Sequence, residues 1–340
     1  MSKTMIIAEL SGNHNNDLQY TKDTIYEIKK SGADAVKLQT YTADSLTLNV
    51  NNAMFGPRED GLWKGRTPYE VFSEGALPYG WHQELFQYAE SLGLICFSSP
   101  FDTDAVDFLE SLQNPIYKVA SFEIAHIPLI QRIAETGKPV IISTGIASLA
   151  DIETAISYFD MKNITLLKCT SAYPTPFSEV NLRAMKSLGE IFGVDVGLSD
   201  HTLGSAVPIA AVAIGAKVIE KHFILDKSRG GIDADFSMTS SEFKDMVKGI
   251  REVEEALGNP GFSITESALK SRARGRTIYV SVDSKKGSIL SPENVRVVRG
   301  GGGLDPKYYN MVLGKKFKHD VSAGEPLRSS ELTEFNLLDL

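Results

Sequence analysis

Short apolar runs rich in β-branched residues recur along roughly the first three quarters of the chain, separated by segments with helical periodicity. The runs cover 5–10, 35–41, 94–100, 116–121, 139–145, 164–171, 195–201 and 217–223. Between them apolar residues return at three- and four-residue spacing, as in Leu18, Ile25 and Ile28, or in Phe243, Val247, Ile250, Val253 and Leu257. The second of these stretches opens on Thr239-x-x-Glu242, a capping-box pattern, and stops at Gly258, so a helix is predicted there. Strands that are apolar throughout, rather than alternating, are buried on both faces and belong to parallel sheets. Eight strand–helix units in about 260 residues predict an α/β fold, a (β/α)8 TIM barrel. A doubly wound sheet is the rival, but no G-x-G-x-x-G follows the first run, which disfavours its dinucleotide-binding version.

One connection breaks the rhythm. Residues 42–80 form a loop far longer than usual, and such loops in compact domains are most often functional. Beyond residue 270 the style changes again. Short strand-like runs at 277–282, 295–299 and 315–319, separated by glycine-containing turns, predict a small, mostly β domain. The basic run Leu269-Lys270-Ser271-Arg272-Ala273-Arg274-Gly275-Arg276 reads as an exposed connector. The expected organisation is therefore a barrel over 1–268, a linker over 269–276 and a second domain over 277–340.

Composition narrows the function classes. The chain has 340 residues with 35 Lys and Arg against 43 Asp and Glu, a formal charge of −8. Such an acidic balance disfavours non-specific binding to nucleic acid or anionic membranes. No apolar run reaches 18 residues and no signal-peptide pattern opens the chain, so a cytoplasmic protein is expected. Cys96 and Cys169 both lie in apolar runs, which excludes a disulfide framework or a cysteine-type zinc site.

The candidate chemistry lies at the ends of the runs. In a parallel barrel the carboxyl ends of the strands form the active-site face. Polar residues interrupt every run, always late: Glu9; Lys37 and Gln39; Ser98 and Ser99; Lys118, Ser121 and Glu123; Ser143; Lys168 and Ser171; Ser199, Asp200 and His201; Glu220, Lys221 and His222. Each has a bland reading singly, as a helix cap or an outward lysine that snorkels. Their convergence instead describes a pocket for a small, doubly charged anion, with phosphate and carboxylate both open. His201 and His222 close adjacent strands and fit either two hydrogen-bonded core histidines or an open divalent-ion site. Lys168 allows another chemistry, a Schiff-base nucleophile of a class I aldolase, which would leave the two histidines unexplained.

These strand ends resemble the sialic-acid-synthase family, enzymes that condense phosphoenolpyruvate with an N-acetylated sugar. The segments that carry the resemblance include Ile7-Ala8-Glu9-Leu10-Ser11-Gly12-Asn13-His14-Asn15, Val36-Lys37-Leu38-Gln39-Thr40, Gly197-Leu198-Ser199-Asp200-His201-Thr202 and Glu220-Lys221-His222-Phe223. The tail Val298-Arg299-Gly300-Gly301-Gly302-Gly303-Leu304 is similar to the antifreeze-like (SAF) domain of that family. Leu62-Trp63-Lys64-Gly65-Arg66 in the long loop and Ala120-Ser121-Phe122-Glu123 resemble the branch that makes pseudaminic acid, with the N-acetylneuraminate and legionaminate branches as alternatives. A non-catalytic glycan-binding protein is a more distant alternative. The resemblance implies phosphoenolpyruvate contacts from Lys37, Ser99, Lys118, Ser121, Ser143, Ser171 and Ser199, with Glu9 as the catalytic residue. It implies Gln39, Glu123, Tyr173 and Asp233 toward the sugar, and Mn2+ or Mg2+ on His201 and His222. It further implies a domain-swapped homodimer in which Arg299 of one chain reaches the sugar in the other. Gly300 stands where the family usually has Pro.

Overall fold

Eight strands close into a parallel barrel in the computed structural model, which describes residues 3–335. They are β1 (Met5–Glu9), β2 (Ala35–Thr40), β3 (Ile95–Pro100), β4 (Tyr117–Val119), β5 (Val140–Ser143), β6 (Ile164–Lys168), β7 (Asp195–Asp200) and β8 (Val218–His222). Neighbours in sequence are neighbours in space, and β1 closes on β8 with Ile7 opposite Glu220 and Glu9 opposite His222. The eight-unit reading of the apolar runs therefore holds.

Strand alternation sorts the apolar residues into two cores. Ile7, Ala35, Phe97, Ile141, Leu167 and Val218 point inward and plug the barrel, with Ile116 beside them. Ile6, Ala8, Val36, Leu38, Leu198 and Ile219 point outward and pack under helices. The helix predicted from its capping box runs Ser240–Leu257, with Thr239 and Glu242 capping reciprocally, and buries Phe243, Met246, Val247 and Ile250 in that outer core. Capping and the apolar stripe act together here: the first satisfies the orphan amides, the second supplies the burial.

Gly197 occupies the inward position of β7 where the other strands carry side chains. A Cβ there would press on the carbonyl oxygen of Val218 and lie 2.8 Å from Leu167 Cδ2. Gly197→Ala is accordingly expected to cost about 3 kcal/mol by overpacking. A thermal unfolding midpoint unchanged from wild type would show that the barrel wall yields at this point.

The chain divides into two compact units after Gly258. The basic run 269–276 falls inside the second unit, and part of it is helical, Glu266–Arg272. That unit pairs β9 (Arg276–Val280) with β10 (Val295–Arg299) in antiparallel fashion over a core of Ile278, Val280, Leu290, Val295, Phe317 and Leu327. The run at 315–319 is not a strand. Only isolated bridges form there, Ile289 with Lys316 and Phe317 with Leu332, because single pairings on either side never extend into a ladder. Gly300 packs on the Tyr279 ring so closely that any Cβ would strike its hydroxyl, and Tyr279 donates to the Gly301 carbonyl at 2.8 Å. A proline at 300 would need Tyr279 to move, which accounts for the glycine.

Candidate active site

The inward residue two positions beyond each plug is polar or ionisable. Glu9 follows Ile7, Lys37 follows Ala35, Ser99 follows Phe97, Lys118 follows Ile116, and Ser143 follows Ile141. Cys169 follows Leu167, Ser199 follows Gly197, and Glu220 follows Val218. A two-residue period places these groups in one layer just above the apolar floor. None is more than 5% exposed. Gln39, Ser171, His201 and His222 follow two positions further along their chains.

Two carboxylates and two ammonium groups share this dry layer. Lys37 Nζ lies 2.5 Å from Glu9 Oε2, 3.7 Å from Glu220 Oε2 and 3.1 Å from Ser99 Oγ. Lys118 Nζ donates to Ser143 Oγ at 2.7 Å and to the Val119 carbonyl at 2.9 Å, with Glu220 Oε1 3.9 Å away. Ser199 Oγ donates to Glu220 Oε1 at 2.9 Å, and Gln39 Nε2 to Glu9 Oε1 at 3.0 Å. Burial raises the Glu9 carboxyl to about 7, although Lys37 opposes the shift, and the charge of Glu220 adds to it. Glu220 also pays for its desolvation, but Lys118, Lys37 and the Ser199 hydroxyl outweigh that and hold it below the ordinary range. Two carboxyl groups driven apart in this way suit different tasks, one able to exchange a proton near neutrality and one a fixed anion. Two ammonium groups and the hydroxyls of Ser99, Ser143 and Ser199 in one layer suit a small anion.

Above it opens a cavity of about 530 Å³. Gln39, Glu123, Ser171, Tyr173, His222 and Asp233 line it, with Phe101, Phe122, Ile232 and Phe236 as apolar walls. Burial pushes the Glu123 carboxyl up to about 7. Asp233 accepts from the Ser11 hydroxyl. Gly145 donates its N–H to Ser121 Oγ at 3.0 Å, and a Cβ at Gly145 would crowd both Ser121 Oγ and Ser171 Oγ, so the three form one cradle. Ser171 Oγ is buried with no hydrogen-bond partner among the described residues, as is His222 Nδ1. Unsatisfied buried groups of this kind are costly unless a ligand completes them.

The long loop earns its length at this cavity. Leu46, Arg58, Trp63, Val71 and Phe72 form one side of it. Trp63 Nε1 donates to the Ile232 carbonyl at 3.2 Å, and the Arg58 guanidinium stands 5.5 Å over the Trp63 ring. Sequence reasoning noted the loop but gave Arg58 no role. It also left Glu220 without a role, although its place two residues before His222 puts both on one face of the strand.

Parity also removes candidates. Lys168 shares the outward face of β6 with Ile164 and Leu166, which pack in the barrel–helix layer, and its Nζ turns back to Thr170 Oγ1 at 3.1 Å. A Schiff base inside the barrel is not open to it. Ser98, Asp200 and Lys221 likewise point outward; Ser98 Oγ meets Thr40 Oγ1 at 2.7 Å. Arg299 lies exposed at the end of β10, in the second unit.

His201 and His222 stand with ring centroids 5.3 Å apart. His201 Nδ1 faces the Thr170 carbonyl at 3.3 Å, which leaves Nε2 available to a ligand. Burial, reinforced by the charges of His201 and Lys37, lowers His222 far enough that it is neutral and offers a lone pair. Burial lowers the proton affinity of His201 too, but Cys169 and the Glu220 and Asp200 carboxylates outweigh it and raise its pKa, so His201 gives up a proton when it takes a cation. A neutral His222 with an orphaned nitrogen, facing that second imidazole, fits an open divalent site. No cluster of three or more His, Cys, Asp or Glu ligands occurs among the described residues, so substrate or water oxygens would complete the shell.

Comparison with known proteins agrees with this geometry. The chain is 46% identical over 97% of its length to pseudaminic acid synthase of Campylobacter jejuni, covering 96% of that protein. It is 39% identical over 95% of its length to N,N'-diacetyllegionaminic acid synthase of Legionella pneumophila, covering 92% of it. The solved N-acetylneuraminic acid synthetase of Leptospira borgpetersenii superposes with a TM-score of 0.71 at 29% identity, covering 79% of this chain and 90% of that one. Residues 275–333 match the SAF domain. With residues 24–261 matching as well, across the barrel that carries the site, the chain belongs to the NeuB family.

Proposed function

We propose that this protein condenses phosphoenolpyruvate with 2,4-diacetamido-2,4,6-trideoxy-L-altrose, releasing phosphate and forming pseudaminic acid. The observation that carries the sugar assignment is the 46% identity across nearly the whole chain to a pseudaminic acid synthase, against 39% to a legionaminic acid synthase. Lys37 and Lys118, with the hydroxyls of Ser99, Ser121, Ser143, Ser171 and Ser199, are the groups proposed to hold phosphoenolpyruvate. Gln39, Glu123, Tyr173 and Asp233 are proposed to orient the sugar in the cavity above. The apolar walls suit the methyl groups of a deoxy, diacetylated sugar.

His201 and His222 would hold the divalent ion, Mn2+ or Mg2+, which supplies Lewis-acid polarisation of the sugar aldehyde. Holding both reactants at the strand ends contributes through orientation. As C3 of the enolpyruvate bonds to the aldehyde carbon, positive charge grows at C2. The aldehyde oxygen takes the carbonyl electron pair and a proton to become a hydroxyl. Water adds at C2 and gives one proton to Glu9; the C2–O bond to phosphate then breaks as the new hydroxyl yields its second proton to the departing phosphate, leaving the C2 keto group. Lys37, beside Glu9, steadies the carboxylate in its charged form.

A phosphate-release assay with phosphoenolpyruvate and three acceptors tests the reading: the altrose derivative, its legionaminate-type counterpart and N-acetylmannosamine. The altrose derivative should give the highest kcat/KM, exhaustive chelation should abolish turnover, and Mn2+ should restore it. Preference for N-acetylmannosamine would overturn the sugar assignment. Arg58→Ala should raise the sugar KM at least about tenfold, the loss of roughly one charge-assisted hydrogen bond, while the phosphoenolpyruvate KM stays put. Equal shifts in both would place Arg58 elsewhere.

The proposal includes a swapped homodimer, with Arg299 of one chain serving the sugar bound to its partner. Exposed apolar residues on the loops after five strands support a covered barrel mouth: Met54, Phe122, Ile146, Phe177 and Leu203. Mixing inactive Arg299→Ala and Glu9→Gln chains should recover activity, and failure to recover any would argue against cross-chain sites. A triply charged small anion does not cross membranes, which favours the cytoplasm as the place of reaction. No described helix is long and apolar enough to span one.

A further inference from the structure

Directly behind His201 and His222 lies a buried charge pair that the proposed chemistry does not use. Asp200 and Lys221 are register partners on β7 and β8, each one residue before a histidine of the site. Alternation therefore turns them out of the barrel, into a layer whose same-parity neighbours are Leu198 and Ile219. Their side chains are 2% and 0% exposed. Lys221 Nζ donates to Asp200 Oδ2 at 2.5 Å and also to the Thr202 carbonyl. Asp200 accepts from the Thr202 backbone N–H at 3.1 Å and from its hydroxyl at 3.0 Å. Thus the residues on both sides of His201 are tied to one ammonium group, and the residue beside His222 carries that group.

Stability does not require such a pair, since well-packed apolar side chains of similar volume are often as good or better. What an ion pair adds is direction. Apolar packing tolerates sliding of one strand end past the next, whereas this network allows a single arrangement of the Asp200-His201-Thr202 turn against β8. We infer that Lys221, Asp200 and Thr202 form a positioning cluster that sets the spacing of the two imidazoles for a divalent cation. This rests on the metal site proposed above. Outer partners of metal ligands typically contribute 10–100-fold in metal affinity.

Mn2+ titration of the full-length protein by calorimetry and by electron paramagnetic resonance tests the inference. Lys221→Met combined with Asp200→Asn removes both charges at similar volume and leaves an amide oxygen to accept from Thr202. The expected result is Mn2+ binding weakened about 10–100-fold with phosphoenolpyruvate binding unchanged. Thr202→Ala, which deletes one hydroxyl, keeps the test alive if the double variant fails to fold, and should weaken Mn2+ several-fold. Lys221→Arg should not restore wild-type affinity, because a planar guanidinium cannot reach both acceptors in the same geometry. Mn2+ affinity equal to wild type in the folded variants overturns the inference, as does Mn2+ loss that only follows unfolding in every variant. A wild-type protein that binds no Mn2+ ends the metal reading itself and this inference with it.

Discussion

Replacing Glu9 by Gln is expected to lower kcat for phosphate release by about 10²–10⁴-fold, the usual contribution of a general base. Phosphoenolpyruvate should still bind, because both lysines remain and Lys37 is freed from a competing carboxylate. The pH dependence separates this role from a structural one. A base works deprotonated, and burial holds the Glu9 carboxyl at about 7, so wild-type activity should fall as pH drops below that value. The Gln variant should lose this limb. Glu123→Gln should keep it, although Glu123 is raised to about 7 as well, because it faces the sugar cavity rather than the reacting layer. Stability carries the opposite sign. The folded protein holds the Glu9 proton more tightly than the unfolded chain does, so this group's contribution is fully present below the ordinary carboxyl range and is lost as pH rises through about 7. Thermal midpoints of wild type and Glu9→Gln should therefore diverge in favour of the variant as pH rises from 5 to 8. Undiminished turnover in the variant would remove Glu9 from the mechanism.

Lys118→Met should lower kcat/KM for phosphoenolpyruvate by roughly 10²–10³-fold, the range for truncating one partner of a buried, hydrogen-bonded charge pair. Lys118 is 1% exposed and anchored by Ser143 and the Val119 carbonyl, so its ammonium cannot be replaced by water from outside. Burial lowers its pKa, and an anion bound beside it favours its charged form. Lys118→Arg should rescue little, since a longer planar group has no room between Ser143 and Glu220. Steady-state kinetics with phosphoenolpyruvate varied at saturating sugar reads the effect. A loss confined to the sugar KM would assign Lys118 to the other substrate.

The barrel was legible because its strands are buried on both faces, and such strands need uninterrupted Val, Ile and Leu whatever surrounds them. The capped helix Ser240–Leu257 was legible for a similar local reason. The run at 315–319 has a strand's composition but is no strand, because a β-run has meaning only with partners, and Lys316 and Phe317 find single bridges instead. At the site, residue types at strand ends announced an anion pocket, but not which way each side chain points.

That direction is where local pattern stops and tertiary structure begins. Residue order alone determined the eight units, the polar strand ends and the two histidines closing neighbouring strands. Only barrel closure decided that Glu220 joins Lys37 and Lys118 inside, while Lys168, Asp200 and Lys221 face the helices. A two-residue period fixes alternation along one strand, but the phase between strands is set by register around the closed cylinder. The same closure shifted Glu9 toward neutrality, because a carboxyl's proton affinity depends on water excluded and charges gathered by residues far away in the chain.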